Sequence, residues 1–217
     1  MAILKNGPNG GFSGKVGSVV GYQWRGKDVI RGLPRFQSKK RTPAQLANQQ
    51  KMTLTQQFLK STIFFIRSGF RHEAERRVMS AFNVAMSYNK KQAITGEYPD
   101  LVFDYSKALV SMGGVPGVKD GSASWTDTGL ELRWTSDAGK GNARERDNLW
   151  VLLFFPEYET CEYLFNGATR DKGQEIIPVR PHNLGKPVHV YASFIRYNGS
   201  DISPSSYIRI SHGIVEK

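Results

Sequence analysis

Apolar and polar positions alternate in short runs along the last hundred residues, which is the pattern of half-buried β-strands. In residues 129–135 the alternation places Leu130, Leu132 and Trp134 on one face. Residues 149–155 are apolar on both faces, as a central strand of a sheet would be. Seven such runs, separated by turn residues, predict a β-sandwich. The predicted strands are residues 121–126, 129–135, 149–155, 161–165, 175–179, 188–195 and 207–210.

The beginning of the chain carries a second β pattern. Residues 16–22 and 27–31 are rich in β-prone side chains and flank Trp24-Arg25-Gly26, whose glycine supplies a turn. We therefore predict a β-hairpin over residues 16–33.

A helical pattern follows the hairpin. Thr42 is predicted as the N-cap, with a proline in the first turn and Gln45 three residues after the cap, which together form a capping box. The spacing of apolar residues predicts that this helix runs to about Leu59. A second helix is predicted over residues 78–93. Residues 61–70 fit either the start of another helix or a buried turn.

Glycine and proline residues interrupt the pattern near the middle of the chain. Residues 101–110 predict a strand-like stretch, and Gly113 to Gly117 form a linker or a sharp corner. We place a domain boundary there. The predicted organisation is a basic hairpin-and-helix domain over residues 1–112 and a β-sandwich domain over residues 113–217, so the predicted fold class is α+β.

Almost all of the charge imbalance lies in the first sixty residues. They contain eleven lysines and arginines against one acid, Asp28, which gives +10 of the +11 net charge of the 217-residue chain. The remaining residues are nearly neutral, with nineteen basic and eighteen acidic side chains. Solubility does not require such localisation, so the pattern favours an acidic partner that meets this segment.

The residue types that carry catalysis are scattered. Cys161 is the single cysteine, which excludes an internal disulfide or a multi-cysteine metal site. Adjacent carboxylates would raise the pKa of its thiol, the wrong direction for a nucleophile. The four histidines, none at metal-ligand spacing, are His72, His182, His189 and His212. We therefore expect no catalytic residue, cofactor or metal site, and predict that the protein is not an enzyme.

The basic segment provides the candidate binding residues. Its cations could neutralise phosphates while its aromatic rings stack on unpaired bases. It could equally dock on an acidic protein surface, such as the cluster of Glu157, Glu159 and Glu162 on another copy. A third interpretation packs Trp24 in a core and leaves the charges merely solvated. The candidate residues are Trp24, Arg25, Lys27, Arg31, Arg35, Phe36, Lys39, Lys40 and Arg41.

Several phrases resemble a family catalogued as a domain of unknown function in Bacteroides/Flavobacterium-type bacteria and their phage-like elements. The matching phrases are Lys5-Asn6-Gly7, Ser13-Gly14-Lys15-Val16-Gly17, Val20-Gly21-Tyr22, Thr42-Pro43-Ala44-Gln45-Leu46-Ala47, Asp104-Tyr105-Ser106-Lys107 and Val190-Tyr191-Ala192. The resemblance implies a phage or mobile-element setting and supplies no activity. In the last hundred residues, Trp134 and the strand containing Tyr191 resemble fibronectin type III modules, an immunoglobulin/fibronectin III-like sandwich.

The leading hypothesis is a non-enzymatic structural or assembly protein, in its most concrete form a bacteriophage virion component, that docks through its basic N-terminal part. The alternative is a nucleic-acid-binding protein that uses residues 25–41. No run approaches the roughly 20 apolar residues of a membrane span, and residues 1–9 lack the apolar core of a signal peptide. We expect a cytoplasmic location, or the virion if the protein is phage-encoded.

Overall fold

A computed structural model describes residues 2–3, 10–34 and 40–210. The chain forms two compact units, Met1–Arg41 and Thr42–Lys217. Helices and antiparallel sheets are both present, so the protein is α+β, as the sequence predicts.

The first unit is a four-stranded antiparallel sheet with the strand order β1-β4-β3-β2. The predicted hairpin is present as β3 and β4, which are joined by a two-residue turn in which Arg25 and Gly26 both have positive φ. The predicted first arm, residues 16–22, is divided by a turn at Gly17, whose φ of 55° favours glycine. The strands are β1 (Ala2–Ile3), β2 (Gly14–Val16), β3 (Val19–Trp24) and β4 (Lys27–Gly32).

The second unit begins with the predicted capping box. The Gln45 backbone N–H donates to Thr42 Oγ1 at 3.3 Å, and the Thr42 N–H donates to Gln45 Oε1 at 3.0 Å. The first helix runs two residues beyond the predicted end at Leu59. The helices are α1 (Pro43–Ser61), α2 (Ile63–Gly69), α3 (Arg71–Arg76) and α4 (Ala81–Gln92).

The structure resolves one open part of the helical prediction and corrects another. Residues 61–70 hold the short helix α2, which settles the alternative that the sequence left open. The predicted start at Val78 is wrong, because Val78 has a φ of 53° and ends the preceding turn. Helix α4 instead begins after Ser80, whose hydroxyl accepts the Asn83 N–H at 3.2 Å.

All seven strands of the predicted sandwich are present. The strand-like stretch at residues 101–110 is mostly wrong: only two residues extend, and a 3₁₀-helix at Tyr105–Lys107 follows. Strands β11-β8-β7 form one antiparallel sheet and β10-β9-β12-β13 another. The strands are β5 (Ile94–Thr95), β6 (Val102–Phe103), β7 (Ser122–Trp125), β8 (Gly129–Arg133), β9 (Asn148–Phe155), β10 (Thr160–Leu164), β11 (Gln174–Pro178), β12 (His189–Ile195) and β13 (Ser206–Ile208).

The four-stranded sheet of this unit separates two apolar cores. Along β9, Val151 and Leu153 face the three-stranded sheet, whereas Leu152 and Phe154 face the helices. This alternation explains why the strand is apolar on both sides. The segment from Gly113 to Gly117, where the sequence places a domain boundary, lies within the second unit.

The two residues that resemble a fibronectin module lie in different layers. Trp134 is buried in the core between the sheets, and its indole N–H donates to the Arg170 carbonyl at 2.9 Å. Tyr191 belongs instead to the core beneath the helices, where its hydroxyl donates to the Tyr105 carbonyl at 2.7 Å.

Candidate partner-binding face

The register of the small sheet sorts its side chains onto two faces. Directly opposed residues of an antiparallel pair point to the same side. Trp24 lies opposite Lys27, and Val20 lies opposite Arg31. Pairing with β2 adds Lys15 to the same side. The basic–aromatic face, as we name it, consists of Ile3, Lys15, Val20, Tyr22, Trp24, Lys27, Val29 and Arg31.

Aromatic rings and cations lie side by side on the basic–aromatic face. The Trp24 side chain is 53% exposed, so it is not a core residue of this unit. The Arg31 guanidinium carbon lies 5.9 Å from the centroid of the Tyr22 ring, and that of Arg25, in the turn, lies 5.4 Å from the Trp24 ring. These distances are within cation–π range. Only Val29, at the centre, is buried.

The opposite face of the small sheet carries the acid. Asp28 pairs with Gln23 on that side, and Gly11 lies so close to the Asp28 carboxylate that a Cβ has no room there. The Phe12 ring lies against Gly21 on this opposite face, where a Cβ on Gly21 would be 2.7 Å from the ring. Asp28 is therefore separated from Lys15, Lys27 and Arg31 by the thickness of the sheet.

The candidate residues from the sequence fall into three groups. Trp24, Lys27 and Arg31 lie on the basic–aromatic face, with Arg25 at its turn. Lys40 and Arg41 are exposed and directly precede α1, outside the sheet. Arg35, Phe36 and Lys39 lie outside the described residues.

Sequence reasoning missed Lys15 and Tyr22 as members of this face. Lys15 depends on the register of β2 against β3, which places it opposite Val20, whereas Tyr22 depends on the pairing of β3 with β4, which places it opposite Val29. The signal for Lys15 is Gly17, whose turn separates β2 from β3. The signal for Tyr22 is its position two residues before Trp24 in the same strand.

The predicted acidic docking cluster is only partly available. Glu162 accepts hydrogen bonds from the Arg180 N–H at 3.2 Å and from Asn183 Nδ2 at 2.7 Å, so it anchors the loop after β11. Glu157 and Glu159 are exposed in the turn between β9 and β10. A docking partner would therefore meet two carboxylates there.

Cys161 and His189 each have a polar neighbour within the larger unit. The Cys161 thiol donates to the Ser61 carbonyl at 3.0 Å, and burial, followed by the charge of Glu162, raises its pKa. His189 Nδ1 lies 2.9 Å from the Tyr207 hydroxyl, and burial lowers the histidine pKa. Within residues 2–3, 10–34 and 40–210, no three His, Cys, Asp or Glu side chains are placed to hold a metal ion.

Across the described part of the chain, no helix is both long enough and apolar enough to cross a bilayer.

These features define an α+β protein with a small, one-sidedly basic sheet and a larger helix-covered pair of sheets. The chain belongs to a family of unknown function (DUF6266), whose profile matches residues 11–209. The match spans both units, and it confirms the resemblance to an uncharacterised domain family. No curated protein and no solved structure matches the chain.

Proposed function

We propose that the protein is a non-enzymatic assembly protein that docks on an acidic protein surface through the basic–aromatic face. The observation that carries the proposal is the one-sided distribution of side chains: Lys15, Lys27 and Arg31 share a face with exposed Trp24, and Asp28 lies behind them. Electrostatic steering needs such a single-sign surface.

The composition of the face supports the proposal. Tryptophan, tyrosine and arginine dominate the energetics of protein interfaces because their large rigid groups bury area at low entropic cost. Trp24 and Tyr22 are the anchors, and Lys15 and Lys27 form a charged rim. The exposed Trp24 side chain would lose its water on docking.

The larger unit would provide the scaffold, and we assign it to the immunoglobulin/fibronectin III-like sandwiches. The strand order supports this, because the first, second and fifth strands of the pair form one sheet, and the third, fourth, sixth and seventh form the other. The buried Trp134 on the second strand's continuation supports it as well. Helices that cover the four-stranded sheet would then be the distinguishing feature of this protein.

The biological setting belongs to the same proposal. The phrases that resemble a Bacteroides/Flavobacterium-type family and its phage-like elements favour a virion component. An assembly role in a virion requires docking on other proteins, which the basic–aromatic face supplies.

Nucleic-acid binding is the second candidate, and the cation–π pairs favour it. Arg25 beside Trp24 and Arg31 beside Tyr22 place guanidinium groups next to rings on which unpaired bases can stack. The same residues would then contact phosphates, and binding would weaken steeply with salt.

A competition between two polyanions separates the candidates. The full chain would be titrated with poly-L-glutamate and with oligo(dT) of matched charge, with light scattering and the anisotropy of a fluorescein label on each polyanion as readouts. The assembly proposal predicts poly-L-glutamate binding that Arg31→Gln and Trp24→Ala weaken. Gln23→Glu is the matched control, since it lowers the net charge by the same unit on the opposite face.

The outcomes are distinct. Preferential oligo(dT) binding, with a slope of log affinity against log salt of about −0.7 for each phosphate contacted, would favour the second candidate. Equal weakening by Gln23→Glu would mean that net charge alone drives binding, and it would refute a specific face. Binding of neither polyanion would contradict both candidates.

A further inference from the structure

Two loops of the larger unit are tied together at one end of the paired sheets. The loop from β8 to β9 contains Asn142 and Asp147, and the loop after β12 begins at Arg196. Arg196 Nη1 lies 2.9 Å and 3.1 Å from the two Asp147 carboxylate oxygens, and Nη2 donates to the Asn142 carbonyl at 2.6 Å. The Asn142 side-chain oxygen accepts from the same Nη2.

A second buried arginine completes this network. Arg170 Nε donates to Asp147 at 3.3 Å, Nη1 to Asp137 at 2.7 Å, and Nη2 to the Pro116 carbonyl at 2.8 Å. Its guanidinium carbon also lies 3.9 Å from the centroid of the Phe194 ring. Arg170 and Asp147 are fully buried. Each of the three guanidinium nitrogens of Arg170 donates a hydrogen bond inside the protein.

The network makes the loops rigid at an energetic cost. Removing two arginines and an aspartate from water is expensive, and apolar side chains of similar volume would often give equal or greater stability. The charged network fixes the positions of the loops, because each guanidinium makes charge-assisted hydrogen bonds to several different groups. Loops of a sandwich end are also common places for recognition.

The held loops present an open surface concavity. Its volume is about 340 Å³, and its walls are Gly139, Ala143, Arg144, Glu145, Arg146 and Tyr197. Tyr197 is 61% exposed, and the three charged residues are exposed as well. Among the described residues, their side chains have no hydrogen-bond or ion-pair partner. Four exposed side chains thus project from loops that the buried network holds in place.

We propose that this concavity binds an acidic peptide segment of a partner protein. Arg144 and Arg146 would bind a carboxylate, the Tyr197 ring would pack on a neighbouring side chain, and Glu145 would accept a backbone N–H. The volume fits one or two side chains. Glu145, between the two arginines, repels an unbroken run of anionic groups, so the segment that fits carries carboxylates separated by uncharged side chains.

This site is independent of the basic–aromatic face, and the test keeps the two apart. The full chain carrying Lys27→Gln and Arg31→Gln serves as the background, so that binding at the small sheet is weakened. A fluorescein-labelled alternating Asp-Tyr peptide is the probe, and fluorescence anisotropy measures its affinity. Urea unfolding verifies that each variant remains folded.

The proposal predicts saturable binding that Arg144→Ala, Arg146→Ala and Tyr197→Ala each weaken by about tenfold, the effect of losing one interface anchor. Lys60→Ala removes an exposed cation at the end of α1, which packs near the far end of β9, and should leave the affinity unchanged. Absence of binding, equal weakening by Lys60→Ala, or tighter binding of oligo(dT) at the same residues would overturn the proposal.

Discussion

Asp147 and Arg196 form an ion pair that is buried at both ends, with side chains 0% and 6% exposed and 2.9 Å between Oδ1 and Nη1. Arg170 shares the same carboxylate. One acid therefore compensates two guanidinium groups, with Asp137 as the additional partner of Arg170. The position of both loops depends on the charge of this single carboxylate.

Asp147→Asn should destabilise the protein by about 3–5 kcal/mol, the usual cost of removing one partner from a buried ion pair. The amide keeps the volume of the carboxylate but leaves Arg170 and Arg196 insufficiently compensated. Urea unfolding measures the loss. Asp127→Asn is the matched control, because Asp127 is exposed, and its transition should not move. A loss below about 1 kcal/mol for Asp147→Asn would mean that water compensates the arginines.

Asn89→Ala should cost about 1–3 kcal/mol, because two backbone groups lose their partner. The buried Asn89 side chain accepts the Leu109 N–H at 2.9 Å and donates to the Leu109 carbonyl at 2.9 Å. It therefore joins α4 to the segment that follows the 3₁₀-helix. Asn83→Ala in the same helix removes an exposed side chain and should have a much smaller effect on the urea midpoint.

Secondary structure was the part of the fold that local pattern could predict. Alternation such as that of Leu130, Leu132 and Trp134 reports burial on one side of a strand, and the continuous apolar run of residues 149–155 reports burial on both sides. All seven predicted strands are present. The capping box at Thr42 is equally local, since its two bonds join residues three apart. Helix α3 was missed because it is only six residues long and has a weak apolar stripe.

Features that depend on strand pairing or on contacts between distant residues could not be predicted from the local sequence pattern. The basic–aromatic face requires the register that sets Lys15 opposite Val20 and Trp24 opposite Lys27. Arg170 looks like an ordinary surface cation, and only its approach to Asp137, Asp147 and Pro116 makes it a buried residue. A one-residue change in register would reverse which side chains share a face.

His189 should make the stability of the protein fall as the pH drops below 6.5. Burial lowers its pKa from 6.5 in the folded state, so below that value the unfolded chain binds a proton that the folded protein does not. The stabilising effect of the neutral ring is fully present above pH 6.5 and is lost as the pH falls towards the folded pKa. Urea midpoints measured between pH 7.5 and 5.5 give this slope. It corresponds to the uptake of at most about one proton by each molecule on unfolding.

The control for this pH dependence is a variant of the same pocket. His189→Phe keeps the ring beside Tyr105, whose centroid lies 4.3 Å away, but cannot titrate. It should flatten the slope, whereas His182→Gln, at an exposed position, should not. The hydrogen bond from Ser106 lowers the pKa of nearby Asp104, so this carboxylate titrates below the window. An unchanged slope in His189→Phe would assign the pH dependence to other groups.

Cys161 should react with iodoacetamide several times more slowly in the folded protein than in urea at the same pH. The thiolate is the reactive form, and burial raises the pKa of this thiol from 9.0. Its bond to the Ser61 carbonyl further ties it to the end of α1. Ser200→Cys in a Cys161→Ser background provides an exposed reference thiol. That reference should react at similar rates in both conditions. If native Cys161 also reacted at its unfolded rate, the end of α1 would have to separate from β10 faster than alkylation occurs.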